Sequence, residues 1–559
     1  MSNCNWRLLL SVLSLSAWLS ITGYAQAPRV LLFDQPQEGT LNGSEEHVYK
    51  LSLAAGEFAR VEVEITKPEI ILNLLDAKGQ SFYALDFGSQ PRKSVVFYAS
   101  TDTVYQILLF PDDDHTAAKG YRLRWLEKRP ATEVDKAASA AQQLEHEAVK
   151  LYNRGTVEAF HQAVEKCRTA AQLHELAGER DRTANMFNLM GLNLYALGQR
   201  AAAEEAFLQA VAIYRQLQLP ENEYGVLNNL SRLCATWGDF QSALEYERQK
   251  QIMASRLSDP AARLSGLTSL ASLYRRSGDY PRATALYQEV LAGVEPLRQF
   301  PYARYAEFQA LMDLGGLYCA LGDETQGMSY LDKGATVAQS LWDGPQLQIA
   351  QARELERAKS FLRHNAAQDA LPLLTPLLAN EKLQLQSRTG VLVQLGQAYL
   401  ALGRYDEAKK AFAEAETLSQ TKGYQRQLID SQFGQMQVAH AQHQLSEALA
   451  LGEKAIAVIE QQQARIHDAM LRATLFASQR AVYELQIEML MQLAEQTPTH
   501  RSEWQAAALH LSERSRARTL LNLLSNPASP VQTVVAQKHL REKLESIATD
   551  LSQTPFRDK

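Results

Sequence analysis

The stretch that decides the fold runs from Asn185 to Pro301 and opens with NMFNLMGLNLYALGQRAAAEEAFLQA (185–210). Gly198, Gly238 and Gly278 recur within it at one constant interval. Ala203, Ala243 and Ala283 each follow one of these glycines by five residues, and Gly191, Ser231 and Ala271 precede them by seven. Pro220, Pro260 and Pro301 follow the same glycines at a spacing constant to within one residue. A fixed period of this size marks a stack of repeated units. Ahead of each glycine the apolar residues recur at i, i+3 and i+7: Phe187, Met190, Leu194; Leu227, Leu230, Cys234; Leu267, Leu270, Tyr274. That spacing predicts one face of a helix. The glycine ends the helix, because a left-handed turn is easiest without a Cβ. A second helix then carries Ala203, Phe207 and Ala210 inward, and the proline opens the next first helix, where its missing N–H does little harm. One hairpin cannot bury its own apolar face, so its neighbours must stack on it.

Phe187, Met190, Gly191, Leu194, Ala203, Phe207 and Ala210 fill in order the places of the tetratricopeptide repeat (TPR), which the pattern resembles. The copies here are longer than the family's usual period of about 34 residues. Gly322 continues the register, with Leu311, Leu314, Gly315 and Tyr318 before it. Asn365 stands in for the glycine of the next copy, where Glu354 and Arg357 occupy apolar places. Gly403 restores the pattern, and His443 stands at the turn of a last copy. With an atypical first hairpin after residue 134, the expectation is a mostly α chain with about eight helix hairpins over 129–465.

The other segments differ in character. Residues 1–27 read as a secretory signal peptide: Arg7, a short apolar run from Leu8 to Ile21, and small residues favouring cleavage after Ala25. An uncleaved anchor is the alternative; no other segment is expected to span a bilayer. Residues 28–128 carry two alternating runs, Val48–Leu53 and Ala59–Ile65, and further short β-type runs, Ile70–Leu75, Ser94–Ala99, Val104–Phe110 and Tyr121–Leu126, which predict a small antiparallel β-sandwich. With Gly39-Thr40-Leu41, Tyr49, Gly56, Asp76, Gly79 and Gly120-Tyr121, this part resembles the prepeptidase-C-terminal-like domain, an accessory module. Asp112, Asp113 and Asp114 suit either a solvated turn or calcium. A polar linker is expected over 128–136. Residues 466–525 break the period and predict two longer helices, 467–496 and 502–525. Arg472, Phe476, Tyr483, Glu484 and Ser512–Arg518 resemble the junction that precedes a CHAT domain, a caspase-like module found after TPR arrays. Residues 526–559 then read as the start of a missing or truncated C-terminal region, so no catalytic His–Cys pair transfers from that family.

Composition bounds the function. The chain has 559 residues, a hydrophobic fraction of 46% and a net charge of −6, globular values that argue against a whole-protein role on nucleic acid. Four cysteines are too few for a disulfide scaffold. Cys234 and Cys319 fall on packing positions, and His440 and His443 straddle a helix end with no further ligand. No catalytic residue, metal site or cofactor is expected. The resemblance to TPR proteins implies a ligand-facing row on the first helices. It places Asn185, Asn188 and Tyr195 there, then Asn228 and Arg232, then Thr268, Ser272, Arg275 and Arg276, then Lys359 and Arg363. Amides suit a peptide backbone, and the cations suit acidic groups. Two functions stay open. One is an exported scaffold, bacterial periplasmic or extracellular, that binds a protein or peptide, an acidic one among the candidates, and self-associates through its C-terminal end. The other is the regulatory part of a CHAT-type cysteine peptidase.

Overall fold

The computed structural model describes residues 28–524, apart from 43–44, 67–69, 87–91, 112–118, 255–256, 258–259, 299–300, 340, 342–346, 381–382 and 384. The expected signal peptide, the Asp112–Asp114 turn and the region from 526 onward lie outside the described residues. A TPR-type α-solenoid follows a small, mainly antiparallel β-sandwich. The chain divides into two compact units, one ending at Asn229 and the other beginning at Leu230.

In the first unit, nine strands form two sheets. β1 (Arg29–Val30), β3 (His47–Leu53), β8 (Thr103–Pro111), β5 (Ile70–Leu75) and β6 (Ser81–Asp86) make one, in that order. β2 (Gln37–Leu41), β9 (Lys119–Pro130), β4 (Glu57–Ile65) and β7 (Arg92–Tyr98) make the other. Alternate residues (Leu51, Val61, Val63, Leu72, Leu74, Phe97, Leu109, Leu123) fill the space between them. Each such burial stabilises by about 1.5–3 kcal/mol. All pairings are antiparallel except the two-residue β1, which runs parallel to β3. Gly39 sits opposite Tyr121, and a Cβ there would meet the Tyr121 ring. The Tyr121 hydroxyl lies 2.7 Å from that of Tyr49 and also meets His47 Nδ1. Outward residues of the second sheet pair across strands: Arg60–Glu127 at 3.1 Å, Arg92–Glu64 at 2.8 Å, Arg122–Glu38 at 3.2 Å, Arg124–Glu62 at 3.7 Å and Lys128–Glu57 at 3.4 Å.

The linker expected over 128–136 is absent. β9 runs to Pro130, and α1 (Glu133–Arg154) begins two residues later. Thr132 and Asp135 cap that helix reciprocally, and Arg129 grips Asp135 with two nitrogens at 2.5 and 3.0 Å. These bonds hold the Asp135 carboxyl down at about 2. Gln142 of α1 exchanges both amide bonds with the Val96 backbone at the edge of β7, at 3.2 and 3.4 Å. The sandwich is therefore docked on the first helix of its own unit. Behind that contact, His174 of α2 (Val157–Leu176) is wholly buried between Glu179, 2.8 Å from Nδ1, and Glu145, 3.4 Å from Nε2. Burial alone would lower the His174 pKa; the two carboxylates outweigh it and the net shift is upward. Arg182 joins the group, its guanidinium 5.6 Å above the Tyr83 ring. α3 (Arg180–Ala196), α4 (Arg200–Gln216) and the start of α5 (Pro220–Thr236) complete this unit.

The second unit continues with the rest of α5 and with α6 (Phe240–Ala254), α7 (Pro260–Ser277), α8 (Tyr280–Val294), α9 (Pro301–Ala320) and α10 (Glu324–Gln339). α11 (Leu347–Arg363), α12 (Ala367–Ala379), α13 (Leu385–Ala401), α14 (Tyr405–Lys422), α15 (Gln425–Ala441) and α16 (Leu445–Ala464) follow. Among the described residues, α1 to α16 pair into eight hairpins. The three periodic prolines are each the first residue of a helix, as their fixed φ suits. Gly198, Gly238, Gly278, Gly322 and Gly403 all take positive φ, and so do Asn365 (57°) and His443 (58°) in the same turn. The short polar side chain of Asn365 suits that conformation among non-glycine residues. Gly191 lies on Phe207, Gly396 on Phe412 and Gly315 on Leu331, so the small first-helix position is what lets two helices approach. The Arg357 side chain, at an apolar place in the family pattern, turns outward to Glu354 at 3.1 Å.

α17 (Ala469–Gln496) and α18 (Arg501–Leu524) are the two longer helices expected after the repeats. Phe476, Tyr483, Met489, Leu490 and Leu511 share one core with Ile456 and Ile459 of α16. No helix among the described residues is long and apolar enough to cross a membrane.

Candidate partner-binding face

The first helix of each hairpin alternates packing residues with polar ones. Leu189, Leu230, Ala271 and Leu314 are buried, while Asn185, Asn228, Ser272 and Arg275 are half-buried between them. The polar row is not a set of free side chains, for neighbouring repeats tie much of it together.

In the first unit, Asn188 is 3% exposed and accepts a 2.9 Å bond from Asn229. Asn185 accepts a 2.6 Å bond from the Tyr214 hydroxyl. Tyr195 and Asn228 are half-buried.

In the second unit, Arg276 reaches Thr236, 40 positions earlier, at 3.3 Å. Gln397 donates to Gln437, 40 positions later, at 2.9 Å. These pairs join like positions of successive repeats and act as polar rungs between hairpins. Arg275 meets Asp313 of α9 at 3.0 Å, and the Tyr287 hydroxyl donates to the same carboxylate at 2.6 Å. The Asp313 charge raises the Arg275 pKa, so this guanidinium is permanently charged. Arg275 Nε is buried with no hydrogen-bond partner among the described residues. Lys359 pairs with Glu356 at 2.7 Å, and Arg363 with Glu324 at 3.4 Å. Arg232 and Ser272 are half-buried, and Thr268 is buried and turns its hydroxyl to the Leu264 carbonyl at 2.8 Å. The expected cations are thus present on first helices, three of them already facing a carboxylate.

Asp313, Glu356, Gln397 and Gln437 belong to this face and were not expected on it. The interval from Gln397 to Gln437, equal to the repeat period, was a readable signal. Asp313 gave less, because its role depends on which way α9 is rotated.

Other candidates are placed plainly. Cys167, Cys234 and Cys319 are buried free thiols. His440 Nε2 lies 3.0 Å from Gln492 Oε1, and His443 occupies the turn beyond α15. Among the described residues no three His, Cys, Asp or Glu side chains gather as a metal site. Of the junction residues, Phe476 and Tyr483 are core, Glu484 pairs outside with Arg480 at 2.8 Å, and Arg514 meets Glu460 at 3.0 Å.

Comparison with known proteins finds three segments that match the tetratricopeptide repeat family: 183–217, 267–299 and 389–422. No curated protein sequence matches the chain. Among solved structures, the chain is similar to a Rap protein complexed with competence and sporulation factor (15% identity, 52% of this chain and 78% of that one, TM-score 0.40). It is also similar to NprR in complex with its cognate peptide NprX (15%, 61% and 94%, 0.38). A third is the STAND protein PH0952 from Pyrococcus horikoshii, which has a tetratricopeptide repeat sensor (12%, 75% and 63%, 0.35).

Proposed function

We propose that this chain is a non-catalytic scaffold, exported from a bacterium, that holds a protein or peptide segment on the first-helix face of its repeats. The carrying observation is Arg275. A guanidinium on that face is fixed from the next hairpin by Asp313 while about a third of its side chain stays exposed, at 32%. An incoming carboxylate would compete with Asp313 for a group already in position, which favours acidic segments. The experiment is selection of short peptides from a displayed random library, followed by affinity measurement on variants. Arg275→Ala should weaken acidic peptides at least tenfold. Asp313→Asn, which releases the guanidinium, should strengthen them several-fold. Both variants matching the wild type would refute the assignment of this face.

A second reading rests on α17 and α18, whose Phe476, Tyr483 and Arg514 are anchored on α16. They suit a platform for a following CHAT-type peptidase domain, with the repeats as its regulator. Reading the gene past Lys559 for a His and a later Cys, then labelling the product with a cysteine alkylator, separates the two functions.

A further inference from the structure

Within the second unit, chain segments far apart in sequence meet along one seam. The Trp237 indole N–H donates to the Lys422 carbonyl, 185 positions on, and its ring packs 5.4 Å from that of Tyr424. Gly423 leaves room for it: a Cβ there would lie 3.1 Å from the indole. Gln462 donates to the Gly238 carbonyl at 3.3 Å and accepts from Gln479 at 3.2 Å. Gln241 accepts from the backbone N–H groups of His467 and Asp468, at 3.1 and 3.2 Å, just ahead of α17. One turn further, Gly278 lies against α17, where a Cβ would come within 3.1 Å of the Thr474 carbonyl.

We propose that this seam is a latch: the repeats of the second unit close on themselves here and open here, while each hairpin stays folded. Three features support it. The described contacts across the seam are mostly amide and indole hydrogen bonds, with one ring pair, the close approach of Gly278 and one long ion pair, Arg248 to Asp468 at 3.9 Å, and such hydrogen bonds exchange almost evenly with those to water. Successive hairpins are instead joined by apolar clusters such as Leu264, Tyr287, Val290 and Leu314. Most of the seam's hydrogen bonds, moreover, fall on inter-helix turns or helix ends, the parts of a protein that open at least expense. The tetrad of Trp237, Gly238, Gln241 and Gly423 also has its counterparts elsewhere in the array left plain. The turn at Gly403 has Leu402 where Trp237 stands, and a Cβ on Gly403 would meet nothing. As a gate to the first-helix face, the latch rests on the function proposed above; its opening does not.

The test is a disulfide staple, Gln241→Cys with His467→Cys, in the full chain, read by amide hydrogen exchange. The native thiols among the described residues are buried and should not compete. Oxidation should slow exchange at 237–240 and 423–424 at least tenfold. Exchange at 403–405, the same kind of turn away from the seam, should not change. Trp237→Phe, which keeps a ring against Tyr424 and loses the N–H, should speed exchange at 423–424 in the reduced protein. Unchanged exchange on oxidation would mean a permanently closed seam and would overturn the latch, as would unchanged exchange at 423–424 in Trp237→Phe. Failure of peptide selection would refute the proposed function and leave this measurement standing.

Discussion

Replacing Gly191 and Gly390 by alanine should move stability in opposite directions. Both glycines lie inside first helices, where alanine is favoured by about 0.5–1 kcal/mol. At Gly390 a Cβ would meet nothing within 4 Å, so only that preference acts. At Gly191 the Cβ would sit 2.6 Å from Cδ1 and Cε1 of Phe207. Carbon atoms in contact prefer roughly 3.5–4.0 Å, so the ring would have to retreat by about 1 Å. Phe207 is 0% exposed, between α3 and α4, and has nowhere to go. Overpacking of this kind typically costs about 1–3 kcal/mol. The net for Gly191→Ala is a loss of about 1–2 kcal/mol. Thermal melting followed by circular dichroism and calorimetry would show it. A change of about 1 kcal/mol moves Tm by roughly 2–4 °C in a unit of roughly 150–250 residues. Gly191→Ala should therefore melt earlier by roughly 2–8 °C, and Gly390→Ala should melt slightly later. Adding Phe207→Leu to Gly191→Ala should recover part of the loss, since the smaller side chain can yield. Both glycine variants shifting the same way, or no coupling with Phe207→Leu, would refute the argument that glycine is there for the approach of the helices.

The contribution of His174 to the stability of the first unit should fall as pH rises above the unfolded value near 6.5. His174 has its pKa raised in the fold, so its contribution is complete below the unfolded value near 6.5 and is lost as pH climbs through the folded one. Glu145, Glu179 and Arg182 are the charges that act on it, and Lys93 acts on Glu145; His174→Gln should remove this component from a Tm-versus-pH profile. The Lys250–Glu247 pair of α6 is wholly buried, with Nζ 3.0 and 3.1 Å from the carboxylate oxygens. Glu247→Leu strands the lysine and should destabilise by about 3–5 kcal/mol, whereas Glu247→Leu with Lys250→Met should regain most of that in urea melts.

The repeats were legible because hairpin packing is local. The interval fixed the turns, and the turns fixed the helices. The Asn365 and His443 copies could be found despite losing their glycine, since Ala358, Ala370 and Ala448 still marked the close approach. The sandwich was partly legible. Six strands announced themselves, two by alternation and four as short β-type runs, while β1, β2 and β6 did not: β1 is two residues long, and β2 is interrupted by the glycine that makes room for Tyr121. The linker was misread because Arg129, Thr132 and Asp135 look polar and loose in sequence but form a helix cap and an ion pair in space. The candidate face was legible as a row of positions and illegible as chemistry. Whether Arg275 is free or held depends on Asp313, on the first helix of the following hairpin, and on the relative rotation of two helices. The seam at Trp237 left no periodic trace, because its partners lie several repeats away and follow no common interval.

The charged rungs on the outer face of the second sheet have a consequence for how the sandwich assembles. Hydrophobic alternation alone cannot tell β4 and β9 paired in register from the same strands slid by two residues, since either keeps Val61, Val63 and Ile65 inside. The slide that hands Glu62 to Arg122, however, sets Arg60 against Arg124 and takes Glu127 from its partner. The ladder thus works as a proofreader of strand alignment. Its pairs add little to the finished fold, and their value lies in the misaligned sheets they disfavour while the strands are still finding one another.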